Sequence, residues 1–490
     1  MTTLEQHFEA FRKNTIGWDA QIKTPYGIKP LVYADWIASG RLYGPIEKVL
    51  LEKMGPMVAN THSESSDTGM IMTNIYKHSH QIIKRYVNAG LDDLIITAGF
   101  GMTNVINKLQ RILGMRVPEQ AHGFCHLPAD QRPVVFITHM EHHSNHTSWL
   151  ETNADVVVLE PDEHLLVRPD ALKRELDKYK GRTLKIGSFT ACSNVTGVRV
   201  PYHELARIMH QHGGFCFVDF AASAPYDDIN MHPGDPLESL DAIFFSPHKF
   251  LGGPGSSGVM VFNRALYHNS APDNSGGGTV DWTNRWGKYR YVDDIEARED
   301  GGTPGFLQSI KAALVLRLKE QMGVDKIHAR EEQIIARILA AFRRMPGMNI
   351  LADNVDQRLG AISFYIDKLH FNLAVRLLND HYGIQVRGGC SCAGTYGHYL
   401  LHVDYYTSNK ITSKINKGDL SDKPGWVRLS VHPTMSDNEV DYLIKAVGYV
   451  AENWMAMSRD YNYLASHNAY YHKDTVTPLL PHDYDSWFSF

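Results

Sequence analysis

The chain has 490 residues, 43% of them hydrophobic and 21% charged, with a formal charge of −5. That length suffices for a large core and two or three domains, and the modest charge gives no sign of a nucleic-acid or membrane surface. No run approaches the roughly 18 to 20 apolar residues of a membrane-spanning helix. Five scattered cysteines (Cys125, Cys192, Cys216, Cys390 and Cys392) are too few for a disulfide framework, so a reducing, cytoplasmic setting is expected.

The opening stretch, MTTLEQHFEAFRKNTIGWDA, carries a mixed-charge amphipathic helix pattern rather than a signal peptide. From about residue 90 to 262, short β-rich runs (93–97, 133–139, 155–160, 184–190, 214–220, 241–246 and 258–262) alternate with helical patterns. Several runs are apolar throughout, as strands covered on both faces are. Helices at 169–180 and 201–212 imply βαβ crossovers, which predicts an α/β fold with a large, mostly parallel seven-stranded sheet. Ligands of such sheets bind beyond the carboxyl ends of the strands, where Gly99–Thr103, His139–His146, Asn194, Asp219 and Lys249 fall.

After about residue 320 the pattern changes. A long helix near 325–344, apolar runs at 360–366, 384–389 and 426–432, and a helix at 371–380 predict a smaller α+β domain. The expected division is a large domain over 26–320 and a small one formed by 1–25 and 321–490, with an N-terminal arm and an aromatic C-terminal tail. Such a tail is expected to pack on its own domain or on a subunit partner.

Lys249 lies in DAIFFSPHKFLGGPGSSGVMVF, between two apolar strands. A lysine in such a place is seldom charged without a partner, and once neutral it is a nucleophile. Asp219 ends a strand 30 positions earlier and can face the same crevice. A lysine amine and a carboxylate are the minimum for pyridoxal phosphate: the lysine forms the Schiff base, and the carboxylate keeps the pyridine nitrogen protonated. Taken alone, the pair is better explained by a surface lysine and a helix-capping aspartate.

TAGFGMTNVINKLQ (97–110) reads as a strand, a glycine turn and a helix start, where free N–H groups and the helix dipole favour an anion. Gly99 and Gly101 begin a GxG, but Asn104 stands at the third glycine of a dinucleotide fingerprint, which argues against nicotinamide or flavin. Ser246 and His248 are further phosphate donors. In MEHHSNHTSW (140–149), His142 and His146 are four apart, but no HExxH or CxxC partner accompanies them, so no metal is expected. The competing role is an imidazole that stacks on a ring and relays protons. VRGGCSCAG (386–394) places Cys390 and Cys392 in a glycine-flanked loop, expected to be mobile, where backbone amides and Arg387 stabilise a thiolate. Two small residues in a turn is the alternative. Arg428 is a candidate clamp for a substrate carboxylate.

In this order, the stretches from about residue 30 to 450 resemble the class V aminotransferase family of fold type I pyridoxal phosphate enzymes, and within it the cysteine desulfurase and selenocysteine lyase branch. The resemblance implies that Lys249, in SPHKF, is the Schiff-base residue, and that Asp219, in VDFAAS, serves the pyridine nitrogen with Ala221 under the ring. It implies His142 (EHHSN) as the stacking residue and Asn194 (SNVTG) at the ring hydroxyl. Gly101, Met102 and Thr103 (GMTN), with Ser246 and His248, fall at the phosphate. Thr303 (GGTPG) is expected to reach the neighbouring subunit's phosphate in a homodimer. Cys392 falls where the branch carries its sulfur-accepting thiol, and Arg428, with Arg387, at the substrate carboxylate.

Four features depart from the family pattern, one of them an aromatic tail that extends past the family's usual end. Ala222 stands where the family has glutamine, so the ring hydroxyl loses a usual contact unless Ser223 supplies one. Met102 replaces a hydroxyl residue, and Cys390 is an additional thiol. The function implied is transfer of sulfur from L-cysteine, or selenium from selenocysteine, to a cysteine persulfide with release of alanine. A small-molecule amino acid and a sulfur-acceptor protein are then the partners. An aminotransferase or a β-eliminating lyase on the same cofactor, and a non-catalytic binding module, are the alternatives.

Overall fold

Seven strands form the large sheet of the computed structural model, which describes residues 3–63, 65–124, 127–474 and 485–489. Cys125 and residues 475–484 of the aromatic tail lie outside the described residues. The strands are β1 (Asp93–Ala98), β2 (Val134–Thr138), β3 (Asp155–Leu159), β4 (Lys185–Thr190), β5 (Phe215–Asp219), β6 (Ala242–Phe245) and β7 (Gly258–Asn263). All seven coincide with apolar runs of the sequence. Their order across the sheet is β3-β2-β4-β5-β6-β7-β1, with β7 antiparallel to both neighbours and the other pairs parallel.

The sheet is covered on both faces because its strands are apolar on both. Side chains such as Val134, Phe136 and Ile243 join one apolar cluster, and Val135, Ile137 and Phe244 join another. Helix α3 (Met102–Ile112) buries Val105, Ile106, Leu109 and Ile112, a spacing of one helical face. Register then sets the site. Thr190 pairs with Asp219 and Asp219 with Phe244, so β4, β5 and β6 end level with one another.

A second, antiparallel sheet takes the order β8-β9-β11-β10, from β8 (Met348–Ile350), β9 (Ala361–Ile366), β10 (Arg387–Gly389) and β11 (Trp426–Ser430). Helix α9 (Phe371–Tyr382) and helix α10 (Asp437–Met457) bury apolar faces that include Leu377, Leu378, Leu443 and Val447. The short strand Val32–Tyr33 pairs in parallel with Ile384–Gln385, and Asp35 bridges to Ser430, so the early chain is stitched to this half.

At the N-terminus, helix α1 (Leu4–Asn14) begins with a capping box between Thr3 and Gln6 and buries Phe8. The tail forms an antiparallel hairpin, 461–464 with 469–472, that packs on α9, with the Tyr461 hydroxyl donating to Asp380 Oδ2 at 3.0 Å. Among the described residues, no helix is long and apolar enough to cross a membrane.

Candidate active site

The level ends of β4, β5 and β6, the turn after β1 and the loop after β10 enclose a cavity of about 310 Å³. Gly101, Met102, Thr103, His142, Asn194, Asp219, Ala221, Ser246, His248, Lys249, Arg387, Cys392 and Arg428 all line it. Of the sequence-predicted residues, Thr303 does not. Its hydroxyl sits in an exposed loop and donates to Asn60 Oδ1 at 3.3 Å.

Lys249 ends a single 3-10 turn begun by Pro247, directly after β6. Burial pushes its amine down to about 8, with the Asp219 carboxylate pulling the other way. Burial raises Asp219 to about 6, against the Ala221 N–H that donates to its Oδ1 at 2.8 Å and the pull of Lys249. At neutral pH, a carboxylate and a readily neutralised amine therefore share one cavity.

The turn 99–103 is built by close approaches. Gly99 has φ +56, and a Cβ there would collide with the Asn104 side chain. Asn104, the residue that breaks the dinucleotide fingerprint, instead braces the turn by accepting the Phe100 N–H at 3.2 Å. The Met102 N–H donates to Ser246 Oγ at 2.9 Å, which joins the start of α3 to the end of β6. Met102 acts here through its backbone, since its side chain belongs to the core. The Thr103 and Ser144 hydroxyls meet at 2.6 Å. This combination of helix N-terminus and hydroxyls suits a phosphate.

His142 caps α4 (His143–Leu150), its Nδ1 accepting the Ser144 N–H at 3.1 Å, which leaves the ring proton on Nε2. Burial, and then Lys249, lower its pKa to about 3, so the ring is neutral. His146, its companion in the metal-like spacing, meets the Thr395 hydroxyl instead. The preceding residue, Glu141, is one the sequence reading missed. Its Oε1 accepts from the Thr138 and Thr190 N–H groups and its Oε2 from Asn145 Nδ2, tying β2 and β4 together beneath His142. Burial raises it to about 7.

Asn194 donates through Nδ2 to the Ser391 carbonyl at 2.8 Å, while its Oδ1 is buried without a protein partner. Ala222 lines the cavity, whereas Ser223 lies outside the lining with its hydroxyl buried and without a protein partner. Arg428 and Arg387 both bond Asp35, a second residue missed from the sequence.

The cysteine loop, expected to be mobile, is bonded to its neighbours. Ser391 and Cys392 take left-handed φ values of +52 and +58, a conformation costing about 1–2 kcal/mol per non-glycine residue. Bonds hold them there: the His143 N–H to the Cys392 carbonyl at 2.8 Å, Asn194 to Ser391, and the Gly394 N–H to His143 Nε2 at 3.0 Å. Cys392 is exposed on the cavity wall, while Cys390 is half-buried and outside the lining. The fold presents one of the two thiols.

Strand order and a strand-end cavity of this kind define an α/β enzyme architecture. The sequence profile described as Aminotransferase class-V matches residues 32–443, and the chain belongs to that family. It is 26% identical over 370 residues to a probable cysteine desulfurase of Staphylococcus aureus, covering 74% of this chain and 84% of the relative. A probable cysteine desulfurase of Halalkalibacterium halodurans is 28% identical over 371 residues, with the same coverage. The fold matches a cysteine desulfurase from Thermococcus onnurineus at a TM-score of 0.70 and 21% identity, over 91% of this chain and 98% of the other. A cysteine desulfurase from Escherichia coli gives 0.69 at 20% identity, with the same coverage. The fold type I arrangement expected from the sequence is the one found.

Proposed function

We propose that the protein is a pyridoxal phosphate-dependent cysteine desulfurase, taking sulfur from L-cysteine, or selenium from selenocysteine, and releasing alanine. The observation that carries this is the exposed Cys392 on the wall of the cavity that holds Lys249 and Asp219. The residues fit the cofactor. The turn 101–103 and Ser246 suit its phosphate, the buried Asp219 carboxylate its ring nitrogen, and the orphaned Asn194 Oδ1 its ring hydroxyl. Neutral His142 suits its face.

When bound, the cofactor supplies a sink for the electrons left at the substrate Cα. Asp219 would keep a proton at the ring nitrogen. Lys249 would exchange the Cα proton as amine and ammonium. Arg428 and Arg387 orient the substrate carboxylate. The Cys392 thiolate attacks the substrate sulfur, so that an S–S bond forms as the Cβ–S bond breaks. The bonding electrons stay with the substrate carbon, which is protonated to give alanine. The persulfide then passes to a thiol of an acceptor protein. We take the enzyme to be a cytoplasmic homodimer in which Thr303 serves the neighbouring subunit's phosphate site.

Incubation of the purified holoenzyme with cysteine and analysis of the products tests this. Alanine with a persulfide on the protein is expected. Pyruvate in place of alanine identifies a β-eliminating lyase, and a requirement for a keto acid identifies an aminotransferase.

A further inference from the structure

Asp35 holds both arginines of the cavity. Arg428 Nη2 donates to its Oδ1 at 2.8 Å, and Arg387 Nε to its Oδ2 at 3.1 Å. The Asp35 side chain is 14% exposed and that of Arg428 only 3%, so a charge left unmatched here is costly. Asp35 is also fixed in place: its residue bridges to Ser430, and the Ile37 N–H donates to Ser430 Oγ at 3.0 Å. A ligand cannot readily displace it. Meanwhile Arg428 Nε is buried without a protein partner, which leaves the wall a donor for a ligand.

Two guanidinium groups against one carboxylate leave a single positive charge at this wall. One ligand carboxylate neutralises it. Were Asp35 uncharged, the wall would carry two positive charges, and a ligand with two carboxylates would be the matched one.

We propose that Asp35 is a specificity-determining residue: by supplying one of the two negative charges that Arg387 and Arg428 accept, it restricts the site to amino acids with a single carboxylate. Amino acids with an acidic side chain are excluded by charge rather than by size. The proposal rests on the assignment of Arg428 and Arg387 to the substrate carboxylate.

The test compares the parent holoenzyme with Asp35→Asn, using α-methylasparagine and α-methylaspartate as probes. The two match in size, differ by one carboxylate, and have no Cα hydrogen to lose. Calorimetry gives both dissociation constants on the same protein sample, so an inactive fraction cancels in their ratio, and thermal unfolding checks that the variant is folded. The parent is expected to prefer the asparagine analogue. In Asp35→Asn the preference shifts toward the aspartate analogue by about ten-fold or more, as an added opposite charge a few ångströms away produces. An unchanged ratio in a folded variant that still binds both probes overturns the proposal while leaving the carboxylate clamp standing. If the parent binds neither probe and Arg428→Lys leaves the KM for cysteine unchanged, the clamp itself is wrong, and the proposal falls with it.

Discussion

The Asp219 carboxylate at the end of β5 and the Lys249 amine just past the end of β6 each favour the other's charged form, while burial opposes both. Lys249 therefore titrates near 8 rather than 10.5 in the cofactor-free protein. Replacing Asp219 with Asn removes an attraction that favours the ammonium, so the titration moves to still lower pH. The rate at which an amine-reactive reagent labels Lys249, followed by mass spectrometry across pH, measures both midpoints. A midpoint that stays put or rises in Asp219→Asn would show that the two groups do not interact.

Thr303 separates a role within the chain from one between chains. Among the described residues its hydroxyl makes an exposed contact to Asn60 at 3.3 Å. Thr303→Val is therefore expected to change thermal stability within about 0.5 kcal/mol. A hydrogen bond to a neighbouring subunit's phosphate is worth roughly 1.5–3 kcal/mol, so cofactor affinity should fall at least ten-fold. Equilibrium dialysis of pyridoxal phosphate against parent and variant measures this, and light scattering reports the dimer. Unaltered affinity, or a fully active monomer, removes Thr303 from the site.

Glu141 carries a pH signature. Burial raises it to about 7 from an ordinary 4.5. Between these values the folded protein keeps a proton that the unfolded chain has lost. Its contribution is therefore complete below about pH 4.5 and is lost as pH rises through about 7. Glu141→Gln cannot titrate. Its bond to Asn145 Nδ2 is lost at every pH, so only the slope matters. Relative to the parent, the variant should gain roughly 3 kcal/mol of stability across that window. Urea unfolding at a series of pH values gives the difference, and a flat difference would refute the assignment.

The seven strands of the large sheet were legible because each is a short β-rich run, several of them apolar throughout, and β9, β11 and α9 because their apolar residues keep period. The site was legible where a polar residue interrupts such a run at a strand end, as Asp219 and Lys249 do. Asp35 and Glu141 were not. Each acts through partners far along the chain, Arg428 and Arg387 for the first and Thr190 for the second. No local spacing encodes those meetings; only the sheet registers create them. The bonding of the cysteine loop was hidden for the same reason. Gly388, Gly389 and Gly394 suggest freedom, but His143 and Asn194, from distant segments, bond the loop.

The bonding of the loop bears on which thiol would carry sulfur. A sulfur-accepting thiol must reach the substrate's sulfur inside the cavity and then an acceptor outside it. Cys392 lines the cavity and is exposed, so it meets both requirements from one backbone position. Cys390 lies outside the lining and packs partly against the core. With the carbonyls of Ser391 and Cys392 bonded, only side-chain rotation is left to bring a thiol inward, and that serves Cys392 alone. Cys392→Ala is therefore expected to abolish persulfide formation from cysteine while retaining bound cofactor and its visible absorbance. Cys390→Ala should keep most of the activity. Mass spectrometry of the protein after one turnover, with alanine counted alongside, distinguishes the two. If Cys392→Ala still yields persulfide on Cys390 at the parent rate, the bonded loop moves in solution. If the double variant releases sulfide as fast as the parent, the enzyme is a lyase that lets its leaving group go directly.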